Sequence, residues 1–177
     1  MRAFLAAAAS GLMLSVAGAA FAQTPTVTVA VGPELQSKTD RIGQRDVNEL
    51  REDLAKQVTR ALTRVGAQRA DLVLESAAPN RPTFEQMRRT PGLSMWSLGV
   101  GGASVTGTVT LADGTTQPIS YRWYETDIRQ ARGSTTWSDA GRAFDRLAHR
   151  IARGDLPNQG PHRPAHKTAG LFGDRYF

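Results

Sequence analysis

The sequence predicts a single α+β domain: a mixed, mostly antiparallel sheet of about five strands, with two main helices packed on one face, in the order β-α-β-β-β-β-α. Three observations carry this prediction. Residues 105–124 alternate in a period of two on both sides of an Asp113-Gly114 turn. Two stretches, 47–65 and 137–151, instead place apolar side chains three and four apart, so each forms a helix with one apolar stripe. Between and before them lie short β-branched or leucine-rich runs bounded by Gly and Pro.

The chain opens with Arg2, an uncharged apolar run from Ala3 to Ala20, and the A-x-A site Ala20-Phe21-Ala22. This is the layout of a cleaved secretory signal peptide, so residues 1–22 are expected to be removed and the protein to be periplasmic or secreted. The rival reading, a retained anchor, fits the length of the run but not its Ala/Gly composition or its cleavage site. No cysteine is present, which excludes disulfides, thiol catalysis, sulfur metal sites and a lipoprotein anchor. Residues 23–154 form the expected domain, stabilised by its core alone.

Thr26–Val31 reads as the first strand, ended by Gly32-Pro33. Residues 37–45 are polar, carry Gly43 and read as a loop. Asp46 is placed to cap the long helix, with Glu49 reaching back. Its stripe is Val47, Leu50, Leu54, Val58, Ala61 and Val65, and Gly66 stops it. Ala70–Glu75 is the second strand. Pro79, Pro82 and Pro91 then allow no more than one helical turn, with Thr83 and Gln86 set to cap it. Met95–Val100 is expected to pair as a third strand, and Gly99, Gly101 and Gly102 to bend the sheet where it meets the hairpin. Those glycines lack the following helix and the Lys-Ser/Thr of a phosphate loop. The hairpin strands follow, with Val105, Val109 and Leu111 on one face, answered by Ile119, Tyr121 and Trp123. The last helix carries Trp137, Ala140, Phe144, Leu147 and Ile151 and stops at Gly154. Residues 155–177 have no periodicity and read as a flexible C-terminal tail.

The NRPTFEQ loop (80–86), the GVGGAS bend (99–104) and the helix TTWSDAGRAFDRLAHRIARG (135–154), together with the signal, resemble those of uncharacterised secreted proteins of Gram-negative bacteria. The resemblance implies a compartment and no chemistry.

Catalytic and metal constellations are nearly absent from the sequence. Of its three histidines, His149 lies among arginines on the last helix, while His162 and His166 are flanked by Pro and Gly in the tail. No G-x-S-x-G occurs. Glu125 and Asp127 share a parity and could approach Asp139, but a glycosidase needs two carboxylates facing across a cleft. Trp96, Tyr124 and Trp137 are either core or a binding platform. The pattern that stands out is Arg142, Arg146, Arg150 and Arg153, an arc of about 80° nearly opposite the apolar stripe. It is read either as an ordinary solvated face or as a contact for phosphate or carboxylate.

The expected function is therefore an exported, non-enzymatic domain that binds another envelope component or an anionic surface, with those four arginines as candidate contacts. No catalytic residue, cofactor or metal is assigned, and no transmembrane segment is expected in the mature chain. The alternative is a small hydrolase acting on an envelope polymer. A nucleic-acid partner, suggested by the formal net charge of +6, is opposed by the export signal. The N-terminus of the mature protein should be Gln23; mass spectrometry of the envelope fraction finding Met1–Ala22 intact would contradict this.

Overall fold

The computed structural model describes residues 24–158. The elements are β1 (Thr26–Val31), α1 (Pro33–Gln36), α2 (Thr39–Ile42), α3 (Gln44–Val65), β2 (Arg69–Ala78), α4 (Phe84–Arg89), β3 (Gly102–Thr110), β4 (Thr116–Tyr124), a 3₁₀ turn (Ile128–Ala131) and α5 (Ser138–Ala152). They build one four-stranded sheet in the order β1-β2-β3-β4, with β1 parallel to β2 and the other pairs antiparallel. The α+β class and the mixed sheet are as expected.

The helices α3 and α5 lie side by side, α3 on β1 and β2, α5 on β3 and β4. The period of two sorts the strands as expected: Val29, Leu72, Leu74, Val105, Val109, Ile119 and Tyr121 are buried, and their neighbours Thr28, Thr106, Thr108 and Thr110 take the other face. The α3 stripe of Val47, Leu50, Leu54, Val58 and Ala61 is buried against the sheet, as is the α5 stripe of Ala140, Phe144, Leu147 and Ile151. Both helices start at the end of the sheet where β2 and β4 finish, so they run parallel. Trp137 joins their first turns, its indole N–H donating to Asp46 Oδ1 at 2.8 Å.

Four local expectations are corrected. Met95–Val100 forms no strand, leaving four strands against about five. The Ser97 hydroxyl accepts the N–H of Ser94, and the Ser94 hydroxyl that of Trp96, so short polar side chains hold this backbone in a turn instead of a ladder. Asp46 is not the cap of α3. Gly43, at φ 107°, joins α2 directly to α3 and moves the helix start to Gln44. Asp46 is taken by Trp137 instead, and burial raises its carboxyl above the ordinary range. The expected loop 37–45 contains α2, because Thr39 and Ile42 are buried where α2 meets α4. Past Gly154 the chain stays on the domain as far as residue 158: Pro157 is buried, and its carbonyl accepts the N–H of Ser120 at 2.7 Å. The rest of the expected tail lies outside the described residues. The cap at Thr83 forms as expected, with Gln86 returning the bond.

Each edge of the sheet is met at one point. Thr26 and Gly32 donate towards β2, so the odd residues of β1 turn their backbone N–H and C=O groups to the edge, and Arg51 Nε from α3 donates to the Val29 carbonyl at 2.9 Å. Pro157 and Asn158 lie along β4.

Gly107 sits mid-strand at φ 148°, where an added Cβ would run into the Asp71 carbonyl and approach Leu72 Cα to 2.9 Å. Backbone cannot swing aside as a side chain can, so β2 and β3 would have to separate. Gly107→Ala should lower stability by about 3 kcal/mol or more in urea unfolding. An unchanged midpoint would show that the two strands tolerate separation there.

Candidate functional site

Strand β2 ends, β3 begins and β4 ends at the same end of the sheet, so residues 79–101 and 125–137 gather there. The loops are fastened from within. Asp139, in the first turn of α5, is 0% exposed, and Asn80 is 1% exposed. Asp139 Oδ2 accepts from Asn80 Nδ2 at 2.5 Å and from the Gly101 N–H at 3.0 Å; its Oδ1 accepts from Arg142 Nη1 at 3.0 Å. The Asp139 N–H donates back to Asn80 Oδ1 at 2.9 Å. Asn80 continues through its backbone, donating to the Thr136 carbonyl and accepting from Gly99. Gly101 has no space for a side chain, because a Cβ would meet the Ala78 carbonyl at 2.7 Å and Asn80 Oδ1 at 2.9 Å. A buried carboxylate is tolerated only with such a donor set.

Arg81 makes a second fastening. Its Nε donates to the Ser134 carbonyl at 2.6 Å and its Nη1 to that of Met95, so the two loops are held beside one another. On these loops stand Phe84 and Trp96, each 85% exposed, with Met95 at 47% and Ile128 at 49%. They are the exposed large hydrophobic side chains of the described residues. Glu85, next to Phe84, accepts from Arg88 and Arg89, which hold its carboxyl down at about 2. Its folded value lies below its free one, so the order it gives α4 is present above pH 4.5 and is lost as pH falls through about 2.

The arginines singled out in the sequence are largely engaged within the domain. Arg142 pairs with Asp139, Arg146 lies 4.5 Å over the Trp123 ring, and Arg150 bridges to Asp155 while lying 5.9 Å from the Tyr121 ring. Helical periodicity gave their angle correctly. It could not show that this flank of α5 leans over the aromatic side chains of β4, nor that the chain folds back after Gly154, at φ 73°, to bring Asp155 to Arg150. The Arg150 hydrogen bond in turn holds the Asp155 carboxyl below its ordinary range. Arg153 is exposed and forms no ion pair among the described residues.

The other candidates are dispersed. Glu125 accepts from the N–H groups of Thr126 and Asp127, Asp127 caps the 3₁₀ turn and pairs with Arg129, and Asp139 is sealed. These carboxylates do not face one another across a cleft. Trp96, Tyr124 and Trp137 form no platform: Trp137 lies between the helices, while Tyr124 bonds Ser76 at 2.7 Å with its phenol raised by burial. His149 stands 3.5 Å from Asp145, both well exposed, beside an open cleft of about 270 Å³ between α3 and α5. Gln57, Arg60, Ala61, Arg64 and Ala148 complete its lining, which contains no Ser or Thr nucleophile. Among the described residues no three His, Cys, Asp or Glu side chains are grouped to hold a metal, and no helix is long and apolar enough to cross a membrane. His162 and His166 lie outside the described residues.

No family model, curated protein or solved structure matches this chain.

The polar knot was not foreseen, because 59 residues separate Asn80 from Asp139 and neither belongs to a local pattern. Asn80→Ala should cost about 2–4 kcal/mol, since it strips a buried carboxylate of one donor and its own N–H of an acceptor. Chemical unfolding measures that loss, and a cost below about 0.5 kcal/mol, the range of an ordinary surface change, would contradict the role given to the knot.

Proposed function

We propose that this protein is an exported, non-enzymatic domain of the bacterial envelope that binds another envelope component through the loop end of its sheet. The observation that carries the reading is the exposure of Phe84 and Trp96 on loops fastened by buried polar groups. Conformationally fastened loops that present large aromatic side chains to solvent are suited to carry a contact. Aromatic side chains on a preorganised loop are the usual anchors of a protein contact: they bury much area and lose little rotamer freedom. The export signal supports the envelope as the place.

The α5 arginines support a weaker, second contact with an anionic surface. Arg153 and the exposed side of Arg146 remain available, whereas Arg142 and Arg150 already have carboxylate partners. The hydrolase alternative finds less support, because the carboxylates it would need are occupied in caps, in ion pairs and in the knot.

The test is affinity capture from envelope extracts with the mature protein and with a Phe84→Ser/Trp96→Ser variant. Both side chains are exposed, so the variant should keep its stability within about 0.5 kcal/mol. The parent should enrich a protein that the variant fails to retain, and the purified partner should shift the tryptophan emission of the parent. Equal retention by both would remove the loop end as the contact surface.

A further inference from the structure

We propose that the cleft between the C-terminal halves of α3 and α5 binds a phosphate monoester. The cleft lies at the opposite end of the helices from the loops above, so this site is separate from the proposed contact surface. Its volume of about 270 Å³ is ample for a phosphoryl group and a short carbon chain, and the small side chains of Ala61 and Ala148 in its lining leave that room. Arg60 and Arg64 stand one turn apart on α3, and His149 comes from α5. Neither arginine is within ion-pair distance of a carboxylate among the described residues; Arg60 Nε reaches only the Lys56 carbonyl, at 3.3 Å. Asp145 is the acidic residue of the lining, and it is turned to His149 at 3.5 Å. Asp53 is bonded to Gln57 and Asp145 faces His149, which leaves Arg60 and Arg64 as the charges of the cleft without a side-chain partner among the described residues.

Gln57 lines the same cleft with its amide N–H committed to Asp53 Oδ2 at 2.9 Å, so the two arginines are the donors left to a ligand. A monoester matches them better than a carboxylate does, because its three terminal oxygens point in different directions and can accept from two helices at once. The rival explanation is that the cations merely offset the negative ends of two parallel helices. It predicts a stability loss when they are removed and no response to phosphate.

The experiment measures binding of inorganic phosphate and of glycerol 3-phosphate by calorimetry and thermal melting, at ionic strength held constant with sodium chloride. It uses the mature protein, Arg60→Gln/Arg64→Gln, and the charge-matched control Arg41→Gln/Arg45→Gln. Saturable binding should raise the melting temperature of the parent and the control, with glycerol 3-phosphate the tighter ligand. The cleft variant should bind about a hundredfold more weakly, roughly tenfold for each charged hydrogen-bond donor removed. Sedimentation with phosphatidylcholine vesicles, with and without phosphatidic acid, distinguishes a lipid headgroup from a soluble ester; binding in either arm that the cleft variant loses supports the site. Absence of binding in all arms, or equal weakening in the two variants, overturns it. Phe84→Ser/Trp96→Ser should bind phosphate as the parent does, so failure of this site and failure of the loop contact are told apart.

Discussion

The sealed carboxylate of Asp139 is the constraint on which the upper half of the domain depends. A charge without exposure must be met by donors, and the chain meets it with Asn80, the Gly101 N–H and Arg142, drawn from a loop, a strand entry and the next turn of α5. One group thereby fixes where β2 lets go of the sheet, where β3 enters it and where α5 begins. Remove it, and residues 79–101 would be a proline- and glycine-rich connection with little apolar burial of its own. With it, the same connection becomes a platform on which Phe84 and Trp96 have defined positions. The remaining order of the loop comes from Arg81, from the capping box of Thr83 and Gln86, and from the serine pair around Trp96.

The lower half rests on different physics. There the core is conventional, with two amphipathic helices burying one stripe each against alternating strand residues. The helices approach on small side chains, Gly141 and Ala148 of α5 facing Asp53 and Ala61 of α3, and polar groups line the groove that remains. The two ends of the molecule thus offer different surfaces, aromatic and rigid at one, cationic and concave at the other. On the two proposals above, a partner protein meets the first surface and a small anion the second, so the two need not compete.

Elements set by local physics were legible in the sequence, and elements set by distant partners were not. The α3 and α5 stripes, the stop at Gly66 and the Thr83 cap follow from periods and residue types within a few positions. So does the Asp113-Gly114 turn, where Asp113 accepts from Thr115 and Gly114 takes φ 82°. The start of α3 was misplaced because Trp137, 91 residues away, claims the residue that would have capped it. Met95–Val100 was expected to pair as a strand, but the hydroxyls of Ser94 and Ser97 compete for that backbone. The arginine ridge was legible as an angle only. That Trp123, Tyr121 and Asp155 wait beneath or beside it is a tertiary fact. The exposed aromatic anchors carry no sequence signal that separates them from core residues, since an isolated Trp or Phe is more often buried.

On the function proposed above, this domain meets its partner with the loops fastened by Asp139. Photo-crosslinking in intact cells tests it most directly, with a photoreactive amino acid placed in turn at positions 84, 96 and 108. Positions 84 and 96 lie on the fastened loops, whereas Thr108 lies on the sheet face away from α3 and α5. One discrete heavier adduct is expected from positions 84 and 96, lost when Asn80→Ala is added, and none from 108. An adduct from 108 alone, or adducts from 84 and 96 that persist unchanged in Asn80→Ala, would contradict it.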